Sequence, residues 1–302
     1  MSESPIAEDQ AAILRGRSLV LISGLAMSLG GVFVRSMETA NEWQILLWRS
    51  PGVVAVLLLF MAARGGVGTI FAAAGGKSVL AGLSLALGSA CYVFSITHTT
   101  VANTLFMLSA GPFIAAVLGR ILLGEVVQRV TWVAMAGAAA GVAIMVADGV
   151  AGGALFGNIA GLGAALGFAG FSVALRSGRG ADMLPATCHA GLFSLLIGIV
   201  AQLASGGGLM PSTADLGLCL TYGAIAVGGG LIVFTLGARH VPAAEASLLS
   251  MTEVVLGPIW VWLFFAETPS RATLAGGALL LASIGVRALG GMRRRRPPVG
   301  AV

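Results

Sequence analysis

The chain has 302 residues, of which 57% are hydrophobic and only 10% charged, with a mean hydropathy of +0.97. Soluble domains carry roughly 25% charged residues, so this composition cannot cover a water-facing surface, and lipid must be most of the solvent. The net charge of +5 does not point to nucleic acid, because Arg293, Arg294, Arg295 and Arg296 supply four of those charges directly after an apolar segment, where they read as a topology anchor.

Residues 1–17 form a polar tail with Glu3, Glu8 and Asp9, unlike a cleavable signal, so the first apolar segment is expected to stay in the protein. A membrane-spanning helix needs ~20 largely apolar residues. On that length the chain predicts ten spans, at 18–35, 43–63, 79–97, 101–123, 131–147, 155–175, 187–205, 216–238, 242–265 and 272–290. The first contains Ser28. The second opens on Trp43 and holds Arg49 ~9 Å below its outer end, followed by Pro51-Gly52. The third contains Cys91, Tyr92 and Ser95. The fourth contains Asn103, Ser109 and Gly111-Pro112, and is followed by Glu125 and Arg129. Trp132 enters the fifth. Cys188 and His189 begin the seventh, and Cys219, Thr221 and Tyr222 lie in the eighth. The ninth carries Ser250, Thr252, Glu253 and Gly257-Pro258, with Trp260 and Trp262 near its exit. The tenth precedes a basic tail at 291–302.

The cations set an orientation. With the N-terminus in the cytoplasm, fourteen of the seventeen Lys and Arg residues fall on the cytoplasmic side, Arg35 and Arg271 fall outside, and Arg49 lies within a span. A miscounted helix would scramble this bias, so ten spans with both termini cytoplasmic is the expectation, in a multi-pass protein of the cell (inner) membrane. The 45 glycines suit helices that pack closely in lipid, where small residues let backbones approach.

Sliding the chain by about 142 residues places Ala102 on Ala244, Glu125 on Glu267, Arg129 on Arg271 and Thr131 on Thr273, aligning LLGEVVQRVT with FFAETPSRAT. The match falls at the end of each five-span half. An odd number of spans per copy inverts the second copy. The fold class is therefore an all-α integral membrane protein of ten transmembrane helices in two inverted five-helix repeats, 18–147 and 148–290. Inverted repeats are a recurring plan of secondary transporters.

Arg49 in ILLWRSPG, the run ANTLFMLSAGPFIAAVLGRILLGE (102–125) and the run AEASLLSMTEVVLGPIWVWLFFAE (244–267) resemble the drug/metabolite transporter superfamily, in its ten-helix EamA-like branch. The resemblance covers residues 18–289. It implies alternating-access transport, most often export, of amino acids or related compounds. In this sequence Glu253 and Pro258 are separated, where the family often has Glu directly before Pro.

Glu253 lies ~15 Å deep, near the midplane. A carboxyl at that depth costs about 2.5–3.5 kcal/mol, so it faces either a cavity or a hydrogen-bonding neighbour, and desolvation favours its proton-carrying form. Proton coupling through Glu253 is the mechanistic expectation. Arg49 stays charged and needs an anion or carbonyls; a substrate carboxylate, backbone oxygens, Glu253 or the outer interface are all open to it. Tyr92 and Tyr222 are the leading small-molecule contacts, with Asn103, Ser250 and Thr252 beside them, although hydroxyls and amides in such spans also bond helix to helix. Pro51, Pro112 and Pro258 free the carbonyls of Leu47, Leu108 and Val254, as hinges or as plain packing. Glu125 and Glu267 read as architecture: each stands four residues before an Arg, a spacing for a helical ion pair if the turn there is helical.

No cofactor or metal site is expected: the three cysteines and the scattered His98, His189 and His240 have no ligand spacing. The expected partners are a small-molecule substrate, the bilayer and, as a further candidate, a second copy of the chain. There is no Walker A loop for ATP. An intramembrane enzyme lacks support, since neither G-x-S-x-G nor H-E-x-x-H occurs. A channel or non-transporting scaffold is the remaining alternative.

Overall fold

The structure, a computed structural model, describes residues 5–64, 68, 76–177, 183–241, 245–246 and 249–293. Every regular element among them is helical. In chain order these are α1 (Pro5–Ser28, continued by Gly30–Arg35), α2 (Glu42–Ala63), α3 (Gly76–His98), α4 (Val101–Leu108 and Gly111–Leu123) and α5 (Arg129–Ala151) in the first half. The second half contains α6 (Leu155–Ser177), α7 (Met183–Ala204), α8 (Thr213–Thr221, Tyr222–Gly229 and Gly230–Ala238), α9 (Met251–Phe265) and α10 (Arg271–Arg293). Eight of the helices are long and apolar enough to cross a membrane, and α9 is shorter as described. Of the first nine residues of the ninth predicted span, 242–244 and 247–248 lie outside the described residues. Large apolar side chains such as Leu59, Val133, Phe156 and Leu196 point outward, as a lipid-facing surface requires.

The packing obeys the internal repeat. α3 lies along α6 as α8 lies along α1; α2 touches α8 as α7 touches α3; α4 meets α6 as α9 meets α1. The pairs α2–α7, α4–α9 and α5–α10 join equivalent helices of the two halves. Each five-helix half thus takes the place of the other, turned over.

Glycines set the closest crossings. A Cβ on Gly88 of α3 would sit 3.0 Å from the Gly167 Cα of α6, and one on Gly198 of α7 would sit 2.8 Å from the Leu47 backbone of α2. No hydrophobic effect drives helices together in lipid, so these approaches gain stability through dispersion.

The pairs Glu125–Arg129 and Glu267–Arg271, which required a helical turn, are not made among the described residues. Residues 124–128 and 266–270 are not helical, so the i,i+4 spacing has no helix to act on. Gly124 (φ +68°) and Ala266 (φ +53°) end α4 and α9 in the left-handed region and turn the acids away. Each acid instead reaches across to the other half. Glu267 Oε2 accepts from Arg35 Nε at 2.7 Å, and Glu125 Oε2 accepts from Arg176 Nη1 at 3.1 Å. Arg35 and Arg176 lie in the last turns of α1 and α6, so the two bridges are related by the repeat.

They differ in strength. Arg35 also donates to the carbonyls of Ile96 and Thr99, both at 2.9 Å, and Glu267 Oε1 accepts the Val101 N–H at 2.7 Å. The side chains of this pair are 24% and 19% exposed, against 45% and 38% for Arg176 and Glu125. Glu267→Gln is therefore expected to lower stability by about 1–3 kcal/mol, since it strips a charged partner from a half-buried guanidinium. Glu125→Gln is expected to cost less than ~1 kcal/mol. Thermal unfolding of the two variants in detergent measures the difference, and equal losses would contradict it. Ala266→Gly is expected to stabilise by about 0.5–1 kcal/mol, the left-handed penalty less the entropic cost of glycine, in the same measurement.

The face opposite the N-terminus is tied by further polar contacts. Asp215, in the first turn of α8, accepts the N–H groups of Glu38, Thr39 and Ala40 at 3.2, 2.8 and 2.9 Å, which pins the α1–α2 connection. Gln44 and Gln202 both donate to the Gly208 carbonyl at 2.8 Å, and Trp48 donates to Leu209 at 2.8 Å.

Candidate functional site

A cavity lies between the halves. Its described walls come from α1 to α4 and from α6 to α9, four helices of each half. Neither α5 nor α10 contributes to those walls. Arg49 is seven residues into α2, ~10 Å below the tied face, whereas Thr187 is four residues into α7, ~6 Å from the N-terminal face. The cavity therefore runs from beneath the tied face toward the N-terminal face.

Arg49, Tyr92 and Tyr222 form its blind end. Phe33 stacks on Tyr222 with ring centroids 5.6 Å apart, which fixes the tyrosine ring. The Tyr222 and Tyr92 hydroxyls converge on Gly30, 3.3 and 3.4 Å from where a Cβ would be, so the missing side chain makes their meeting place. Tyr222 opens the wide turns of the π-helical stretch Tyr222–Gly229, a departure often found at functional sites. Gly52 and Gly223 allow α2 and α8 to touch backbone to backbone: a Cβ on Gly223 would collide with the Arg49 carbonyl, and one on Gly52 with the Leu220 carbonyl.

Arg49 is 4% exposed. Its Nη1 donates to the Tyr222 hydroxyl at 3.4 Å, its Nη2 donates to Ser89 Oγ, and its Cζ stands 5.3 Å from the Tyr222 ring centroid. Its Nε has no hydrogen-bond partner among the described residues. No acid pairs with it among the described residues: the only ion pairs there are Arg17–Glu245, Arg35–Glu267 and Arg176–Glu125. Glu253, from α9, lines the same cavity, and no hydrogen bond is formed by its carboxyl among the described residues. The pairing of Arg49 with Glu253 open to the sequence is thus not made. The cavity contains one cation and one acid, each without an ionic partner, in otherwise neutral and largely apolar walls.

Other candidates lie elsewhere. Asn103 belongs to a buried knot near the tied face, where it donates to Asn158 Oδ1 at 3.1 Å and accepts from Thr273 Oγ1 at 2.8 Å, while Asn158 donates to the Met145 carbonyl. That knot joins α4, α5, α6 and α10. Thr252 caps the Leu249 carbonyl at 2.7 Å and packs against Gly24 of α1. Ser250 stands at the N-cap position of α9, and its N–H donates to the Ala246 carbonyl. Neither is among the described residues that line the cavity. Pro112 coincides with the break in α4, whereas α2 and α9 run through Pro51 and Pro258. Ser89, Asn158 and Asp215 carry much of the polar geometry without having stood out in the sequence. Among the described residues no cluster of His, Cys, Asp and Glu could hold a metal ion.

The profile of the EamA-like transporter family matches residues 14–147 and again 155–287. The chain belongs to the EamA-like transporter family. Its double match puts one family unit in each half. The pseudopaline exporter CntI of Pseudomonas aeruginosa is 24% identical over 274 residues, covering 88% of this chain and 93% of that protein. A solved crystal structure, 18% identical, superposes with a TM-score of 0.66 over 95% of this chain and 99% of its own, which shows the shared fold. As an EamA-like protein of ten transmembrane helices, the chain is a multi-pass membrane transporter.

Proposed function

We propose that the protein exports a small organic metabolite, an amino acid or a related compound, by alternating access, with proton exchange at Glu253. The observation that carries this reading is the cavity shared by the two halves, lined by Arg49 and Glu253, neither of which has an ionic partner among the described residues. Burying an ion costs several kcal/mol, about enough that neither group would persist there without a partner to meet. A ligand with an anionic group meets the first, and a proton or a ligand amine meets the second. Exchange of conformation between two similar inverted halves then moves the site from one face to the other. Membership of a transporter family and likeness to an exporter support the direction. The cation bias favours cytoplasmic termini, and with that orientation the cavity's approach from the N-terminal face would be the cytoplasmic one, where an exporter loads.

Metabolite profiling of cells with and without the protein identifies compounds to assay. Flux of these into sealed vesicles containing the purified protein tests the reading. Saturable flux, stimulated by substrate on the opposite side, is the expected result. Unsaturable flux would indicate a channel, and a chemically altered product would indicate an enzyme.

A further inference from the structure

We infer that the blind end of the cavity is a carboxylate subsite formed by Arg49 together with Ser89, and that it takes compounds with a single carboxylate on an apolar body. The inference rests on the transporter reading and deepens it. A guanidinium offers five N–H donors in a planar fork. In Arg49 the Nη1 edge is held by the Tyr222 hydroxyl and ring, the Nη2 donates to Ser89 Oγ, and the Nε is buried with no partner. The Nε and Nη2 together form the edge that receives a carboxylate side-on, through two parallel hydrogen bonds. Ser89 Oγ holds half of that edge.

A serine hydroxyl is both acceptor and donor. When a carboxylate takes Nε and Nη2, the Ser89 O–H turns and donates to the same carboxylate, giving the anion three donors. The ligand thus satisfies the orphaned Nε, whose burial without a partner is unfavourable. Leu85, Leu108 and Phe168 supply the apolar wall for the rest of the ligand. Arg49 is the one cation in the described wall and Glu253 the one acid, so a second carboxylate would find repulsion and no counter-charge. A phosphate matches the fork equally well, but its second negative charge finds no counter-charge in the described wall, which weakens it by the same argument.

The test is calorimetric titration of the full chain in detergent with isovalerate, its neutral isostere isovaleramide, and inorganic phosphate. Isovalerate should bind saturably, with isovaleramide and phosphate at least about tenfold weaker, one charge-assisted bond being equivalent to a factor of that order. Ser89→Ala should weaken isovalerate about tenfold without changing isovaleramide, and Ser89→Thr, which restores the hydroxyl, should recover it. Arg49→Lys should weaken it as well, because an ammonium has no planar fork. Equal binding of amide or phosphate, an unchanged Ser89→Ala, or no saturable binding of isovalerate would overturn the subsite. If the titration fails but vesicle flux is saturable and trans-stimulated, the transporter reading stands without it. If flux fails, that reading falls whatever isovalerate does.

Discussion

Glu253→Gln is expected to abolish proton-driven transport while the protein remains folded in the membrane. Gln has the size of Glu and retains hydrogen-bonding atoms, but it can neither carry a charge nor release a proton. A structural carboxyl at this depth would be expensive, and neutralising it should leave stability unchanged or improved, since a charged side chain near the midplane costs about 2.5–3.5 kcal/mol. Loss of activity without loss of fold therefore marks function. The expected loss in pH-gradient-driven accumulation is on the order of 100-fold, the equivalent of about 3 kcal/mol. Flux in vesicles with an imposed pH gradient measures it, alongside gel filtration for folding. Wild-type accumulation in this variant would remove Glu253 from the mechanism.

Gly223→Val is expected to have the largest effect on stability. The added Cβ falls on the Arg49 carbonyl, and backbone atoms, unlike the end of a flexible side chain, cannot swing aside. Overpacking of this kind costs about 3 kcal/mol, at the upper end of the usual range. The same clash would drive α2 from α8 and separate Arg49 from Tyr222, so activity and fold should fail together. Gly217, also on α8, has nothing within 4 Å of its would-be Cβ. Gly217→Ala should be neutral or stabilising, by up to ~1 kcal/mol of helix propensity. Unfolding temperatures of the pair in detergent give the comparison. If both variants melt alike, α2 and α8 are not packed backbone to backbone.

Much of the architecture was legible because lipid imposes simple rules. Continuous apolar runs of span length, the cation bias between them and the offset match of Glu125 with Glu267 lead to two inverted halves without any knowledge of contacts. Arg49 and Glu253 stood out for the same reason: a charge within an apolar run has few bland explanations. Ser89, Asn158 and Asp215 did not. A lone small polar residue looks the same in sequence whether its helix turns it to a cavity, to a neighbour or to lipid, and helix rotation is set by packing. Asn103 and Thr252 illustrate this, since both bond within the bundle and away from the cavity. The spacing of Glu125 with Arg129 suits a local pair only in a helix, and the chain is not helical there. Gly124 signals the helix end, as glycine often does after a last turn, but Ala266 performs the same left-handed turn with no such signal.

Access to the cavity from both faces tests the whole account most directly. Val227 lies on the α8 wall of the cavity. A Val227→Cys variant lacking Cys91, Cys188 and Cys219 can be treated with a membrane-impermeant maleimide from either side, with Asn41→Cys as a control on the α1–α2 connection. Modification of residue 227 from both sides, with residue 41 reacting from one side only, is the predicted result. Modification of residue 227 from a single side under all conditions would mean a one-sided pocket, and would contradict alternating access.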